Sequence, residues 1–246
     1  MLSMIPRLIG HRGAKESAPE NTLASIREAA AQGVGWIEFD VMLTRDGVPV
    51  VIHDDTLDRT TDGHGPMNAV DHAALKRLDA GSWFDSRFAG ERVPDFTEVL
   101  DLARSLTLGI NVEVKPYPGQ EEETAQTVVS VLQQHWPDNG RLLVSSFEVP
   151  SLETVRRLAP AVPLGYLLWE PPPDWAAIAG RLRADTLNVD QERQTARSVA
   201  EYRATGRPVL AYTVNGGARA AELFSWGVSA VFTDAPGRLQ REMVAL

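Results

Sequence analysis

GWIEFDVMLTRDGVPVVIHD, running from Gly35 to Asp54, is the stretch on which the fold turns. Two apolar runs, WIEFDV and VPVVIHD, flank Asp46-Gly47, and Asp-Gly is a preferred two-residue hairpin turn. The second run therefore reads as an antiparallel return strand. A turn centred on Asp46-Gly47 sets Asp40 opposite His53. Strand side chains alternate, so Glu38 and Asp40 share one face. Two carboxylates and an imidazole are then expected together at one end of this hairpin, in a register that a bulge at the turn would shift.

Outward from the hairpin, short apolar runs recur as RLIGH, GINVEVK, RLLVSSF, PLGYLL, TLNV, PVLAYTV and AVFTD. With the two hairpin strands this makes nine, one more than a barrel of eight needs. Setting aside the return strand VPVVIHD leaves eight, and helix-like stretches lie between most of them. Strands alternating with helices imply a parallel sheet, here an α/β fold closed as a (β/α)8 TIM barrel. In PENTLASIREAAAQG, Asn21 could reach the site but is explained as the N-cap, Leu23, Ile26, Ala29 and Ala30 form the apolar stripe, and Gly33 stops the helix. Glu121, Glu122 and Glu123 open a later helix, where its dipole favours negative charge. From Asp54 to about Phe96 there is no barrel strand. That segment holds turn residues (DGHGP), a short helical pattern (DHAALKRL) and the aromatics Trp83, Phe84 and Phe88. Residues 1–246 are thus expected to form one barrel domain, with a small insertion at about 54–96 after the hairpin that follows the second strand.

The chain has 246 residues, 43% of them hydrophobic, which suffices for a sizeable core. A net charge of −9 argues against nucleic acid as a partner. It does not argue against a small phosphorylated substrate, because a metal ion supplies local positive charge. There is no cysteine, which excludes disulfides and thiolate metal sites. The opening MLSMIPRLIG is too short in its apolar part for a signal peptide, and no run reaches membrane-span length. A cytoplasmic protein without a stable membrane anchor is expected. Oligomeric state is not legible.

The strand ends carry the chemistry. The first ends on His11 and Arg12, the second on Glu38 and Asp40, the return strand on His53, Asp54 and Asp55, and the next on Glu113 and Lys115. In a parallel barrel these ends meet at one mouth, where active sites sit. Taken singly, each has a plain explanation: a satisfied polar histidine, a solvated acidic edge, a surface ion pair. Together they are harder to dismiss. Glu38 and Glu113 lie inside apolar runs, where an unpaired carboxylate is costly to bury. Three clustered carboxylates also repel one another. A divalent cation relieves this, and an all-oxygen donor set suits Mg²⁺ or Ca²⁺ better than zinc. A hard cation with two imidazoles, an arginine and a lysine fits phosphodiester cleavage. The metal would polarise phosphoryl oxygens, Arg12 and Lys115 would hold them, and one histidine would act as base and the other as acid.

The stretches GHRGAKESAPENT, IEFDVMLTRDGVPVVIHDDTLDRTTDG, LDAGSWFDSRFAGERVPDFTEVL, VEVK, SSF, YTVN and VFTDAP resemble, in that order, the glycerophosphodiester phosphodiesterase family. The resemblance covers almost the whole chain. It implies hydrolysis of a small-molecule glycerophosphodiester to sn-glycerol 3-phosphate and an alcohol. It implies His11 and His53 as the acid–base pair, Glu38, Asp40 and Glu113 as metal ligands, and Arg12 and Lys115 on the phosphate. It also implies an insertion packed near the mouth as a small cap. The nucleophile would be the substrate's own 2-hydroxyl, through a cyclic phosphate, or water directly.

Phe147 keeps the family pattern and is expected as an apolar wall. Tyr212 stands where the family commonly has Trp, on the glycerol side. Lys15 and Glu16 replace a small pair, and VPDF at Val93–Phe96 departs from an apolar ending. Asn215, before a glycine pair that opens a helix, is expected to face the mouth. One of Asp54 and Asp55 is expected to orient a histidine, whereas His64, His72 and His135 read as structural or exposed. Alternatives are the same chemistry on a lysophospholipid or another phosphodiester, and a non-catalytic phosphate-binding barrel. A metal-assisted lyase or isomerase with Lys115 as base would leave both histidines and Arg12 without a role.

Overall fold

The computed structural model describes residues 5–136 and 141–244. In chain order the elements are β1 (Leu8–His11), α1 (Leu23–Ala31), β2 (Trp36–Leu43), β3 (Pro49–Val51), α2 (His72–Leu75), α3 (Phe96–Ser105), β4 (Gly109–Val114), α4 (Glu121–His135) and β5 (Leu142–Ser146). There follow α5 (Val149–Leu158), β6 (Leu164–Leu168), α6 (Trp175–Leu182), β7 (Thr186–Asp190), α7 (Ala196–Arg203), β8 (Val209–Tyr212), α8 (Gly217–Trp226), β9 (Ala230–Thr233) and α9 (Pro236–Val244). Eight strands run parallel in the order β1-β9-β8-β7-β6-β5-β4-β2, and pairing of β1 with β2 closes the ring. The (β/α)8 barrel expected from the alternation is therefore present, with β3 as the antiparallel ninth strand on β2.

Alternation along each strand separates two environments. Ile37, Phe39 and Val41 of β2, and Ile110, Val112 and Val114 of β4, belong to the large apolar core that also takes in the helices. A separate apolar cluster of Ile9, Trp36, Leu143, Leu210, Ala230 and Phe232 comes from the other face of the strands and plugs the barrel interior. Glycine at position 109 makes room for this plug, because a Cβ there would lie 2.2 Å from the Trp36 indole. Above the plug the inward positions of β2 and β4 turn polar, and these are Glu38, Asp40, Asn111 and Glu113.

The hairpin register differs from the sequence expectation by one residue. Val41 pairs with Val51, Met42 with Val50 and Leu43 with Pro49, so Ile52 rather than His53 lies beside Asp40; its N–H donates to the Asp40 carbonyl at 3.1 Å. The cause is the turn. Gly47 N–H donates to Thr44 O at 2.9 Å and Thr44 N–H to Val48 O at 3.0 Å, with Gly47 at φ +78°. This is a three-residue loop with a glycine bulge, not a two-residue turn. A one-residue slip would send every later side chain to the opposite face. His53 escapes that fate because β3 ends at Val51, two residues earlier.

The start of α1 also differs. Thr22, not Asn21, is the N-cap, with its Oγ1 accepting from Ser25 N–H at 3.2 Å. Asn21 takes a positive φ of 57° instead. Between β3 and α3 the chain builds a second small apolar cluster. Leu57, Met67, Leu75, Ala80 and Val93 pack there on Met42, Val50 and Ile52 of the hairpin. Asp95, in the VPDF stretch, accepts from His72 Nε2 at 2.7 Å and so joins α2 to the start of α3. Among the described residues no helix is long and apolar enough to cross a membrane.

Gly109→Ala should drive a methyl group into the Trp36 ring and destabilise the barrel by about 1–3 kcal/mol. An unchanged urea midpoint would show that the plug has slack.

Candidate active site

The site begins where β1 ends. His11 points inward, and the chain then turns sharply through Arg12 at φ +52° and Gly13 at φ +86°. Only glycine suits position 13, since a Cβ would lie 2.4 Å from Ser25 Oγ. That hydroxyl accepts from Ala14 N–H at 2.9 Å and donates to the Arg12 carbonyl at 2.7 Å, tying the turn to α1. A left-handed arginine is strained, by about 1–3 kcal/mol. Its backbone N–H is held by Glu38 Oε2 at 3.1 Å.

Glu38, Asp40 and Glu113 converge, offering one oxygen each with all three atoms within 4.8 Å of one another. Glu38 Oε1 is buried without a hydrogen-bond partner among the described residues. Burial and then the Asp40 charge push Glu113 up to about 8, and the same two causes, with Glu113 added, raise Glu38 well above the ordinary carboxylate range. Asp40 goes the other way, to about 2. Burial opposes ionisation there, but the charges of Arg12, His53 and Lys115 and the Asn21 amide outweigh it. Asn21 Nδ2 donates to Asp40 Oδ2 at 2.9 Å, so the residue expected as a helix cap instead steadies a site carboxylate. An orphaned buried oxygen beside two further acids, all of them hard donors, fits a divalent cation.

Each imidazole is held by a carboxylate. His11 Nδ1 bonds Asp234 Oδ1 at 2.6 Å, and its Nε2 lies 3.9 Å from Glu38 Oε2. His53 Nδ1 bonds Asp54 Oδ1 at 2.7 Å. An ionised carboxylate only accepts, so the proton sits on Nδ1 and Nε2 is free to exchange one. Burial lowers both imidazole pKa values. At His11 it outweighs the Asp234 hydrogen bond, and at His53 it outweighs Asp40 and is reinforced by Arg12 and Lys115.

His11, Arg12, Glu38, His53 and Glu113 line one cavity of about 170 Å³ with Asn111, Ser145, Phe147, Leu167 and Tyr212. Charge gathers on the β1–β4 side. The β5–β8 side is mostly apolar, with Phe147, Leu167 and the Tyr212 ring beside Ser145, and Phe147 meets the Tyr212 ring edge-on at 5.9 Å. Lys115 is felt electrostatically by Asp40, Glu113 and His53. Asn215 is not among the lining residues. Its Nδ2 donates to Asp234 Oδ2 at 2.9 Å and its Oδ1 accepts from Asp234 N–H at 2.9 Å, so it fixes the carboxylate that fixes His11. The Gly217 N–H is taken by Glu242 Oε2 at 2.7 Å. His64 is exposed beside Asp58. The substituted pair divides: Glu16 pairs with Arg238, while Lys15 lies 3.8 Å from Glu20.

Three contributors had no role in the sequence reading: Asp234, Glu20 and Arg59. All lie inside the stretches that carried the resemblance (VFTDAP, APENT and LDRTTDG), and that placement is the only signal that could have flagged them.

A closed barrel with its acids and imidazoles gathered beside one cavity has the plan of a barrel hydrolase. Residues 11–238 match the glycerophosphoryl diester phosphodiesterase family, and the chain belongs to that family. It is 35% identical over 240 residues to a glycerophosphodiester phosphodiesterase of Caldanaerobacter subterraneus, covering 94% of this chain and 95% of that protein. It is 33% identical over 248 residues to one from Bacillus subtilis, covering 93% and 83%. Among solved structures, an Oleispira antarctica phosphodiesterase in complex with the product sn-glycerol-3-phosphate superposes with a TM-score of 0.95 at 40% identity, covering 99% of this chain and 98% of that one.

The raised carboxylates predict a pH effect. Burial and the neighbouring Asp40 charge push Glu113 up to about 8, above its ordinary 4.5. Its contribution to stability is therefore full below the lower value and is lost as pH rises to the higher one. In chelator, Tm should fall from about pH 5 to pH 8 more than in a Glu113→Gln variant. Mg²⁺ or Ca²⁺ should raise Tm most at the alkaline end, by the equivalent of about 2.7 kcal/mol at a hundredfold excess over Kd. A Tm indifferent to both ions at the alkaline end would remove the cation from this cluster.

Proposed function

We propose that this chain hydrolyses glycerophosphodiesters to sn-glycerol 3-phosphate and an alcohol, with a divalent cation on Glu38, Asp40 and Glu113 and with His11 and His53 moving the protons. The observation that carries it is the paired arrangement of the imidazoles. Both line one cavity, and each has its Nδ1 held by a carboxylate of its own. Family membership and the relative bound to sn-glycerol-3-phosphate support the substrate class.

The cation, when bound, would neutralise the carboxylates and polarise the phosphoryl oxygens. Arg12 presents its guanidinium at the cavity wall to a non-bridging oxygen, and Lys115 adds a second positive charge. One Nε2 accepts the proton of the attacking hydroxyl, that of water or of the substrate's own 2-hydroxyl, as the new phosphorus–oxygen bond forms. The other, protonated, gives its proton to the alcohol oxygen as the phosphorus–oxygen bond to that alcohol breaks; where the 2-hydroxyl attacks, water then opens the cyclic phosphate, with the two imidazoles exchanging roles, to leave sn-glycerol 3-phosphate. Asp234 and Asp54 stabilise whichever imidazole is charged and keep each ring from turning. Phe147 and Tyr212 form the apolar side against the carbon skeleton of the substrate. Phe147 is 41% exposed, and Trp169 just beyond β6 is 55% exposed, so the rim also offers apolar surface to a longer chain. Lysophosphatidylcholine therefore belongs in the same assay.

Incubation with glycerophosphocholine and glycerophosphoethanolamine should release sn-glycerol 3-phosphate, and a chelator should stop it. His11→Ala and His53→Ala should each cut kcat at least ~10²-fold. Asp234→Asn should cost a similar factor, because an amide oxygen holds the imidazole proton less firmly and the amide N–H favours the wrong tautomer. Turnover that survives both histidine substitutions would refute the acid–base pair.

A further inference from the structure

We propose that Arg59, carried on the insertion, is a positioning residue of this reaction: by gripping Glu20 and Asp54 at once it fixes both Arg12 and His53. The proposal rests on the phosphodiesterase reading above and adds a residue that touches none of the reacting atoms.

The geometry is a double fork. Arg59 Nε donates to Asp54 Oδ2 at 2.6 Å and Nη2 to Asp54 Oδ1 at 2.9 Å. On its other edge Nη1 donates to Glu20 Oε2 at 2.8 Å and Nη2 to Glu20 Oε1 at 2.8 Å. Each carboxylate passes the grip onward through the same atom. Asp54 Oδ1 also bonds His53 Nδ1 at 2.7 Å, and Glu20 Oε1 also accepts from Arg12 Nη1 at 2.7 Å. One planar cation thus stands a single carboxylate away from the imidazole and from the guanidinium that line the cavity.

Its two partners differ in burial. Glu20 is 4% exposed. Burial alone would raise its pKa, yet the Arg59 hydrogen bonds with the charges of Arg12 and Lys15 bring it to about 2. Glu20 is therefore a fixed anion between two guanidiniums. Asp54 is more open, and among the described residues its side chain is held by Arg59 and by the ring that it is meant to orient, so without Arg59 that ring alone would remain. Lysine cannot replace this device. Its three donors radiate from one atom and cannot lie flat against two carboxylates at once.

A plainer role would be to clamp the insertion onto the barrel. That task already has other agents. The insertion shares an apolar cluster with Met42, Val50 and Ile52, and Arg87 Nη2 donates to the Ser17 carbonyl at 3.2 Å. A residue that only clamps would change stability and leave the turnover of the folded enzyme alone. A residue that aims Arg12 and His53 would change turnover, because displacements of about 1 Å at such groups cost up to ~10² in rate.

The test compares Arg59→Ala, Arg59→Lys, Asp54→Asn and the double variant Arg59→Ala/Asp54→Asn with the parent. Release of sn-glycerol 3-phosphate from glycerophosphocholine is followed well below each Tm. Arg59→Ala should lose at least ~10-fold in kcat, and Arg59→Lys should recover little of it. Millimolar methylguanidinium should restore part of the Arg59→Ala loss where equal sodium chloride does not. The double variant should be no more than about two-fold worse than the poorer single one, because both changes cut one chain of contacts. A lowered Tm with kcat within about two-fold of the parent, or losses that multiply, would overturn the proposal. If Arg59→Ala does not fold, Arg59→Lys carries the comparison. A parent that releases no sn-glycerol 3-phosphate defeats the functional reading. The bridge is then judged on a crystal structure of the variant, and Arg12 and His53 found in their parental places would end it.

Discussion

Everything at the mouth of this barrel answers to one electrostatic constraint, the confinement of Glu38, Asp40 and Glu113 to a single small volume. Their oxygens lie within 4.8 Å of one another, and at an effective dielectric constant of about 20 each like-charged pair at that separation costs on the order of 3 kcal/mol. The strands leave no alternative. Inward and outward positions alternate, Asp40 and Glu113 are paired across β2 and β4, and Glu38 is one step below. The fold relieves the repulsion in three ways. Arg12 and Lys115 favour the charge on Asp40, the pKa values of Glu38 and Glu113 rise so that their charged forms are disfavoured, and the all-oxygen cluster fits a divalent cation that would neutralise it. The same features that relieve the repulsion are the ones a phosphodiester anion needs, since positive charge beside buried acids is also positive charge beside a phosphoryl group.

A second constraint is orientation. An imidazole rotates about two bonds and exists as two tautomers, so a strand end alone does not aim it. Asp234 reaches His11 from the far end of the chain, and Asn215 holds Asp234 in turn. Asp54 follows His53 directly, and Arg59, itself held by Glu20, braces it. The barrel seam, where β9 meets β1, thus supplies one orienting carboxylate, and the loop beyond β3 supplies the other. Each histidine is held by a part of the chain that the other does not use.

Much of this was legible without coordinates. The period-2 runs and the intervening amphipathic segments identified the barrel, and WIEFDV and INVEVK marked acids at the mouth by placing Glu38, Asp40 and Glu113 within otherwise apolar strands. Legibility stopped wherever one residue of register mattered. Asp46-Gly47 suggests a two-residue turn, yet Thr44 and Gly47 close a bulged loop and shift the hairpin by one. Asn21 is a good cap by residue type, but Thr22 takes that place, and Asn21 bonds Asp40. Asn215 reads as a mouth residue from its position after a strand, and its bonds to Asp234 left no sign in the sequence.

What the residues alone determined is the layered alternation, and with it the barrel, the inward acids and the presence of histidine at two strand ends. These follow from short-range physics, namely side-chain period, turn chemistry and the cost of burying a lone charge. What only the tertiary structure decided is the pairing of groups far apart in the chain: Asp234 with His11 across 223 positions, and Arg59 with Glu20 across 39. Such contacts depend on barrel closure and on where a loop lands after a bulge. Neither leaves a periodic trace in the sequence, because a hydrogen bond between distant residues constrains two positions and nothing in between.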